Sequence, residues 1–350
     1  MSRIGIRVDG DARIGLGHVF QQVQLAKYLR ETQDAEIFFF TRESGRAEFI
    51  SKKYTEFNWI FIPKSVNLFG SFKTLENISM KKVFDLIIFD ITDPYPILKE
   101  TEHFHSIIHD FKKRGIKTLG FEYIGTKNYN ANAIVNPSVV DYWREYSKSD
   151  ENIYFLGPKY VILELVYTEL NRQNRVISDD LSRILLCMGG SDKNNVTGKV
   201  LKQLLDLDLG LKIDIILGPM HAILDDPKGP FVDSSDDVSI HNVSWNIWEH
   251  MMKCDLAIVS AGRLPYELAA TGTPSISIPI VEHQEHTADA FQALGTTIKL
   301  PSSFSGEDLR ETIDAMSDSG LRKRMSHQGK ITVDGRGLER LSELIDLLTG

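Results

Sequence analysis

The 350-residue sequence predicts an α/β protein made of two Rossmann-like halves, and three observations carry the prediction. Continuous apolar runs alternate with helix-like segments along the whole chain, the pattern of parallel strands covered on both faces. A polar stretch at 171–180 interrupts the alternation and reads as a linker. In each half, paired glycines follow the first strand and open a helix: Gly15 with Gly17, and Gly189 with Gly190. The implied organisation is an N-terminal domain over 1–170, a second over 181–335, and a last helix at 336–350 packing back on the first.

The N-terminal half starts with an apolar strand at 4–8, the loop Ile14-Gly15-Leu16-Gly17-His18-Val19 and a helix at 20–30. Two glycines at such a junction let backbone N–H groups approach a ligand, and the helix start adds unpaired donors and partial positive charge. His18 stands where an anionic ligand would meet that helix, and an imidazole titrating near neutrality suits a general base. The same pattern also describes a glycine-rich turn with a histidine at the helix start. Strands follow at 36–40, 59–62, 83–89, 117–121 and 133–135, with helices at 42–51, 71–80 and 96–114 between them. Ligands of open α/β sheets bind beyond the carboxyl ends of the strands. Three polar clusters fall there: Asp9 with the glycine–histidine loop, the Asp90/Asp93 turn, and Glu122-Tyr123 with Asn136. Asp90 and Asp93 are equally the residues of a plain turn and helix cap. Residues 156–160 read as a turn into an apolar segment at 161–165.

The second alternation begins with a strand at 184–188, the turn Gly189-Gly190-Ser191-Asp192 and a helix at 196–205, a second anion-binding geometry that lacks the Lys-Ser/Thr of a phosphate-binding P-loop. Strands at 212–217, 238–243, 255–259 and 275–279 and a helix at 246–253 continue it. Ser260-Ala261-Gly262 then opens a helix with Pro265 in its first turn and Gly272 at its end. Small residues there admit a pyrophosphate to the helix start. Glu267, one turn in, is placed to accept from ribose hydroxyls, and His283 and Gln284 on the next strand-end loop reach sugar or phosphate. The plainer readings are an exposed helix residue for Glu267 and a solvated loop for His283 and His286. Helices at 304–316, 321–326 and from 338 to 348 close the chain.

Composition excludes several classes. A net charge of -8 argues against a non-specific nucleic-acid surface. Cys187 and Cys254, far apart, form neither a disulfide framework nor a zinc site, and the His283/Glu285/His286 spacing fits no metal motif, so neither metal nor cofactor is expected. No apolar run reaches the roughly 20 residues of a membrane span, and the chain opens on a strand with no signal-peptide apolar region. A reducing cytoplasm is the expected location.

These residues together resemble the UDP-sugar hydrolases of pseudaminic acid biosynthesis and the related spore-coat polysaccharide proteins (PseG/SpsG-like). The matching pieces run in order along nearly the whole chain: Arg7-Val8-Asp9, 14–19, Gly157 with Tyr160, 187–192 with Asn195 and Thr197, 260–262 with Tyr266 and Glu267, 272–274, Gln284, and 334–337 with Arg340. The resemblance implies the GT-B architecture of MurG-type glycosyltransferases, two Rossmann-like domains facing across a cleft. It implies that the C-terminal domain holds UDP and that His18 is the base acting on water, with Asp9 orienting it or touching the sugar. Other enzymes of the same sugar pathway would be its partners. A glycosyltransferase with an acceptor hydroxyl in place of water, or a catalytically silent nucleotide-sugar binder, fits the same residues. The chain departs from the family pattern at Gln21 and Glu164, where the family has arginine, at 90–92 and 121–123, and at Arg263-Leu264-Pro265 after the Ser-Ala-Gly turn.

Overall fold

A computed structural model of the chain describes residues 1–10, 16–81, 83–91, 101–123, 131–142, 153–190, 192, 194–218, 237–242 and 246–350. The chain divides into two compact units, Met1–Glu164 with Arg336–Gly350, and Leu165–Gly335.

In the first unit, β1 (Arg3–Val8) leads into α1 (Gly17–Gln33), followed by β2 (Glu36–Arg42), α2 (Gly45–Lys53), β3 (Asn58–Ile62), α3 (Leu68–Lys81), β4 (Leu86–Asp90), α4 (Thr101–Lys113), β5 (Lys117–Phe121), β6 (Ala133–Asn136) and β7 (Ile153–Leu156). The strands form one parallel sheet in the order β3-β2-β1-β4-β5-β6-β7. Period-2 alternation sorts its apolar side chains onto two faces. Ile37, Phe39, Leu86 and Ile88 join the core beneath α1, whereas Phe38, Phe40, Ile87 and Phe89 join a second core with Phe111 of α4. Each such fully buried side chain contributes about 1.5–3 kcal/mol. β7 is absent from the sequence reading and leads into the turn read at 156–160: it is a four-residue edge strand, too short to show alternation.

The second unit begins with α5 (Leu165–Arg172) and continues with β8 (Arg183–Cys187), α6 (Val196–Asp206), β9 (Lys212–Leu217), β10 (Val238–Asn242), α7 (Ile247–Lys253), β11 (Leu256–Ser260), α8 (Leu264–Thr271), β12 (Ser275–Ile278), α9 (His283–Ala293), β13 (Thr297–Lys299), α10 (Gly306–Met316) and α11 (Ser319–Thr332). Its parallel sheet runs β10-β9-β8-β11-β12-β13. Three elements here are absent from the sequence reading. α5 forms between the apolar segment and the linker read there, α9 begins at His283 and Gln284, which are read on a strand-end loop, and β13 is a three-residue edge strand. The polar stretch at 171–180 lies inside this unit, and its side chains tie down backbone: Asn171 donates to the carbonyls of Ala270, Lys330 and Val333, and Arg175 to those of Met251 and Cys254.

The last helix, α12 (Gly337–Thr349), belongs to the first unit, where Leu338, Leu341, Leu344 and Ile345 extend the core beneath α1. Its start leaves no room for a side chain: a Cβ on Gly337 would stand 2.0 Å from the Val161 carbonyl oxygen. Arg340 donates to the Lys159 carbonyl at 2.7 Å, and Gln33 to that of Ser342 at 2.8 Å.

Candidate active site

Parallel pairing of β1 with β4 sets Val8 beside Asp90, so the polar residues that end both strands lie at one edge of the first unit's sheet. Asp90 is fully buried, and its carboxylate collects three side chains. His18 meets Oδ1 through Nδ1 at 2.9 Å, Gln22 donates Nε2–H to Oδ2 at 2.8 Å, and the Tyr123 hydroxyl lies 3.4 Å from Oδ2. The Tyr123 ring stands edge-on to the imidazole, with centroids 4.7 Å apart at 86°. A carboxylate only accepts, so Nδ1 carries the proton and Nε2 of the neutral ring is the basic atom. His18 keeps 17% of its side chain exposed, against none for Asp90. The imidazole is therefore anchored at its buried nitrogen and reachable from outside.

Asp9 does a different job. Arg7 grips it with both terminal nitrogens, at 2.6 Å to Oδ1 and 2.8 Å to Oδ2, and the Arg42 backbone N–H donates to Oδ1 at 2.9 Å. Burial pushes the Asp9 carboxyl up, but the Arg7 guanidinium and the Arg42 hydrogen bond outweigh it and hold it below the usual carboxylate range. The carboxylate that orients His18 is thus Asp90 rather than Asp9, the nearer of the two in sequence. Arg7 also donates to Ser71 Oγ at 3.1 Å, so the pair clamps the end of β1 to its neighbours.

Glu122 follows β5 and is buried; Asn136 ends β6, where its side-chain oxygen accepts from Ser138 N–H at 3.0 Å and its carbonyl from Gly157 N–H at 2.8 Å. Gly17 is the first residue of α1, a helix start that no described side chain caps. Gly15, Asp93 and Ser191 lie outside the described residues.

In the second unit the predicted residues also gather at strand ends, but their carboxylates face inward. Asp192 accepts from Val196 N–H at 2.8 Å and Thr197 N–H at 2.6 Å, so the start of α6, read in the sequence as an anion site, already holds a carboxylate. Glu267 is neither exposed nor idle: Arg263 Nε donates to one oxygen at 2.9 Å and the Tyr167 hydroxyl to the other at 3.2 Å. Arg263, one of the departures from the family pattern, thereby fixes Glu267 from the preceding turn. Gly189 has a left-handed φ of +81°, and a Cβ there would come within 3.3 Å of Ser260 Oγ. Gly190 is approached by Gly218, whose Cβ would stand 2.6 Å from the Gly190 Cα and 2.1 Å from the Gly189 carbonyl oxygen. Ala261 is fully buried, and no described side chain caps the start of α8. Gln284 Nε2 would lie 3.2 Å from a Cβ on Gly262, while its Oε1 accepts from Ile280 N–H at 3.0 Å. His283 is the exposed first residue of α9.

Burial pushes the thiols of Cys187 and Cys254 up to about 12, which removes them from nucleophilic chemistry. Among the described residues no cluster of His, Cys, Asp or Glu has the geometry of a metal site, and no helix is long and apolar enough to cross a membrane. Gln22 is the site residue that sequence reasoning misses. A glutamine on a helix reads as a solvated position, and its one available signal is the spacing of four from His18, which puts both on one helix face.

Two units, each built on a parallel sheet flanked by helices, define a GT-B-type α/β protein. The fold is that of the MurG crystal structure from Acinetobacter baumannii, which superposes with a TM-score of 0.71 at 14% identity over 99% of this chain and 100% of that one. Residues 184–340 match the glycosyltransferase family 28 C-terminal domain. The spore coat polysaccharide biosynthesis protein SpsG of Bacillus subtilis is 28% identical over 98% of this chain and 97% of its own length. An uncharacterized protein of Methanocaldococcus jannaschii is 29% identical over 83% of this chain and 58% of its own. The pseudaminic acid cytidylyltransferase and UDP-2,4-diacetamido-2,4,6-trideoxy-beta-L-altropyranose hydrolase of Helicobacter pylori is 23% identical over 57% of this chain. The chain spans 32% of that two-function protein and somewhat over half of the archaeal one. The resemblance read from the sequence holds: the chain is similar to SpsG along nearly its whole length, to the Helicobacter protein over part of it, and to the family 28 domain in its second half.

Proposed function

We propose that this protein is a nucleotide-sugar hydrolase that releases UDP from a UDP-linked sugar of the 2,4-diacetamido-2,4,6-trideoxyhexose type, in a nonulosonic acid or surface-polysaccharide pathway. The observation that carries the reading is the Asp90–His18 pair, which directs a basic Nε2 away from the sheet. Nε2 takes a proton from water, the water oxygen joins the substrate, and the sugar–phosphate ester breaks to give free sugar and UDP. The second unit binds the nucleotide through the turn Ser260-Ala261-Gly262 and the uncapped start of α8 that follows it, with Glu267 accepting from ribose hydroxyls beside its Arg263 and Tyr167 contacts. Helix-start donors stabilise the charge that develops on the departing UDP. The substrate class is supported by the hydrolase in the name of the Helicobacter relative and by the polysaccharide role in the name of SpsG. Two buried free thiols accord with a cytoplasmic setting.

The family 28 match supports a second reading, in which His18 deprotonates an acceptor hydroxyl instead of water. Proton NMR of the protein with a panel of UDP-sugars and no acceptor separates the two. Free sugar and UDP are expected, and His18→Ala should abolish their release while UDP binding survives. Wild-type turnover in His18→Ala would remove His18 as the base, and nucleotide release only on adding an acceptor would establish the transferase.

A further inference from the structure

We infer that Gln22 is a positioning residue: its buried amide fixes the Asp90 carboxylate in place as the acceptor of His18 and so sets the tautomer of the imidazole. The inference rests on the reading of His18 as base. His18 and Gln22 are four residues apart on α1, and each takes one oxygen of the same carboxylate, at 2.9 Å and 2.8 Å. The amide has only one workable orientation there. Turned over, it would set Oε1 against Asp90 Oδ2, two acceptors in contact inside the sheet edge. With Nε2 forward, Gln22 donates to Oδ2 and fixes the rotation of the carboxylate, so that Oδ1 faces His18. Asp90 then offers Oδ1 to His18 as acceptor only, and the imidazole keeps its proton on Nδ1.

Burial shows that the amide is not there for solvation. Gln22 is fully buried, and its Oε1 receives no donor from the described residues. A buried unsatisfied acceptor is a standing cost that a leucine or methionine would avoid. The polar side chain is explained by what the other end of the amide does to Asp90.

Gln22→Met keeps the length and removes the donor. Two-bond proton–nitrogen correlation spectra of the resting, full-length protein should show His18 as the Nδ1–H tautomer in wild type and as a mixture of tautomers in the variant. With substrate, kcat should fall about 10-fold with KM within twofold. In an Asp90→Asn background the same substitution should cost nothing further, whereas a merely structural role would cost the same in both. If Gln22→Met folds poorly, Gln22→Asn keeps an amide one methylene short of Asp90 and should mix the tautomers in the same sense. A wild-type His18 tautomer in the folded variant, or equal losses in both backgrounds, overturns the inference. The tautomer readout needs no turnover, so a protein inactive on every UDP-sugar would sink the hydrolase reading and leave the assignment of Gln22 to be decided by the spectra.

Discussion

The two units share one frame, a parallel sheet whose first strand leads to a helix, and use their acidic residues in opposite ways. In the first, the buried carboxylate of Asp90 faces a histidine whose second nitrogen is left basic. In the second, Asp192 closes the start of α6 and Glu267 is engaged by Arg263 and Tyr167. A carboxylate turned toward a titratable partner prepares chemistry; one turned toward backbone donors fixes a loop. Under the proposed function, proton transfer falls to the first unit and holding to the second, and the strand-end carboxylates are where that contrast breaks or sharpens.

Asp90→Asn is the strongest test. An amide can present N–H to Nδ1 and select the other tautomer, so turnover should fall by about 10²–10⁴-fold while UDP affinity, measured by calorimetry, stays within a few-fold. Unchanged turnover would show that the buried carboxylate is structural in both units. Gly218→Ala probes the other side. Its Cβ would overlap the Gly189 carbonyl oxygen and the Gly190 Cα, so the first turn of the second unit must shift. Overpacking of this kind costs about 1–3 kcal/mol. UDP binding should weaken about 10-fold, with the His18 resonances unmoved. A change at His18 equal to the change in UDP affinity would erase the division of labour.

The frame of both units is legible in the sequence because buried parallel strands are apolar throughout; β1, β2, β5, β8 and β9 stand where their runs predict. The short edge strands β7 and β13 escape because they carry no period and, unlike the comparably short β6 and β12, are only partly buried. α9 escapes because its inward positions are Gln284, Ala288 and Phe291, of which only one is strongly apolar, although their spacing of four and three is helical. The site is legible at the residues that glycines flag and illegible where pairing across the sheet decides. Asp9 is nine residues from His18 and Asp90 is 72, yet the β1–β4 register brings the distant one to the imidazole. Arg7, the last residue but one of β1, is what removes Asp9 from that role.

The smallest effect concerns how the units treat a histidine. His250 on α7 is half-buried beside His241 of β10, with ring centroids 4.5 Å apart. Burial lowers its pKa from the ordinary histidine value; His241 and Lys253 add to this, and Asp214 of β9 and Glu249 oppose it without cancelling it. The folded state therefore disfavours the His250 cation, while the unfolded chain takes the proton at its ordinary value. Stability from this source is complete above the ordinary histidine range and is lost as pH falls through that range to the lower folded value. Asp214 is itself held by Arg183 at 2.8 Å, which limits how far it can favour a cation nearby. His250→Gln removes the titration and keeps a polar side chain of similar reach. Thermal unfolding of the full chain should show wild type losing more Tm than the variant between about pH 7.5 and pH 5.5, on either side of the usual histidine value. Equal losses would mean that Asp214 supports the His250 cation as Asp90 supports the His18 ring, and the contrast between the units would be confined to Asp192 and Glu267.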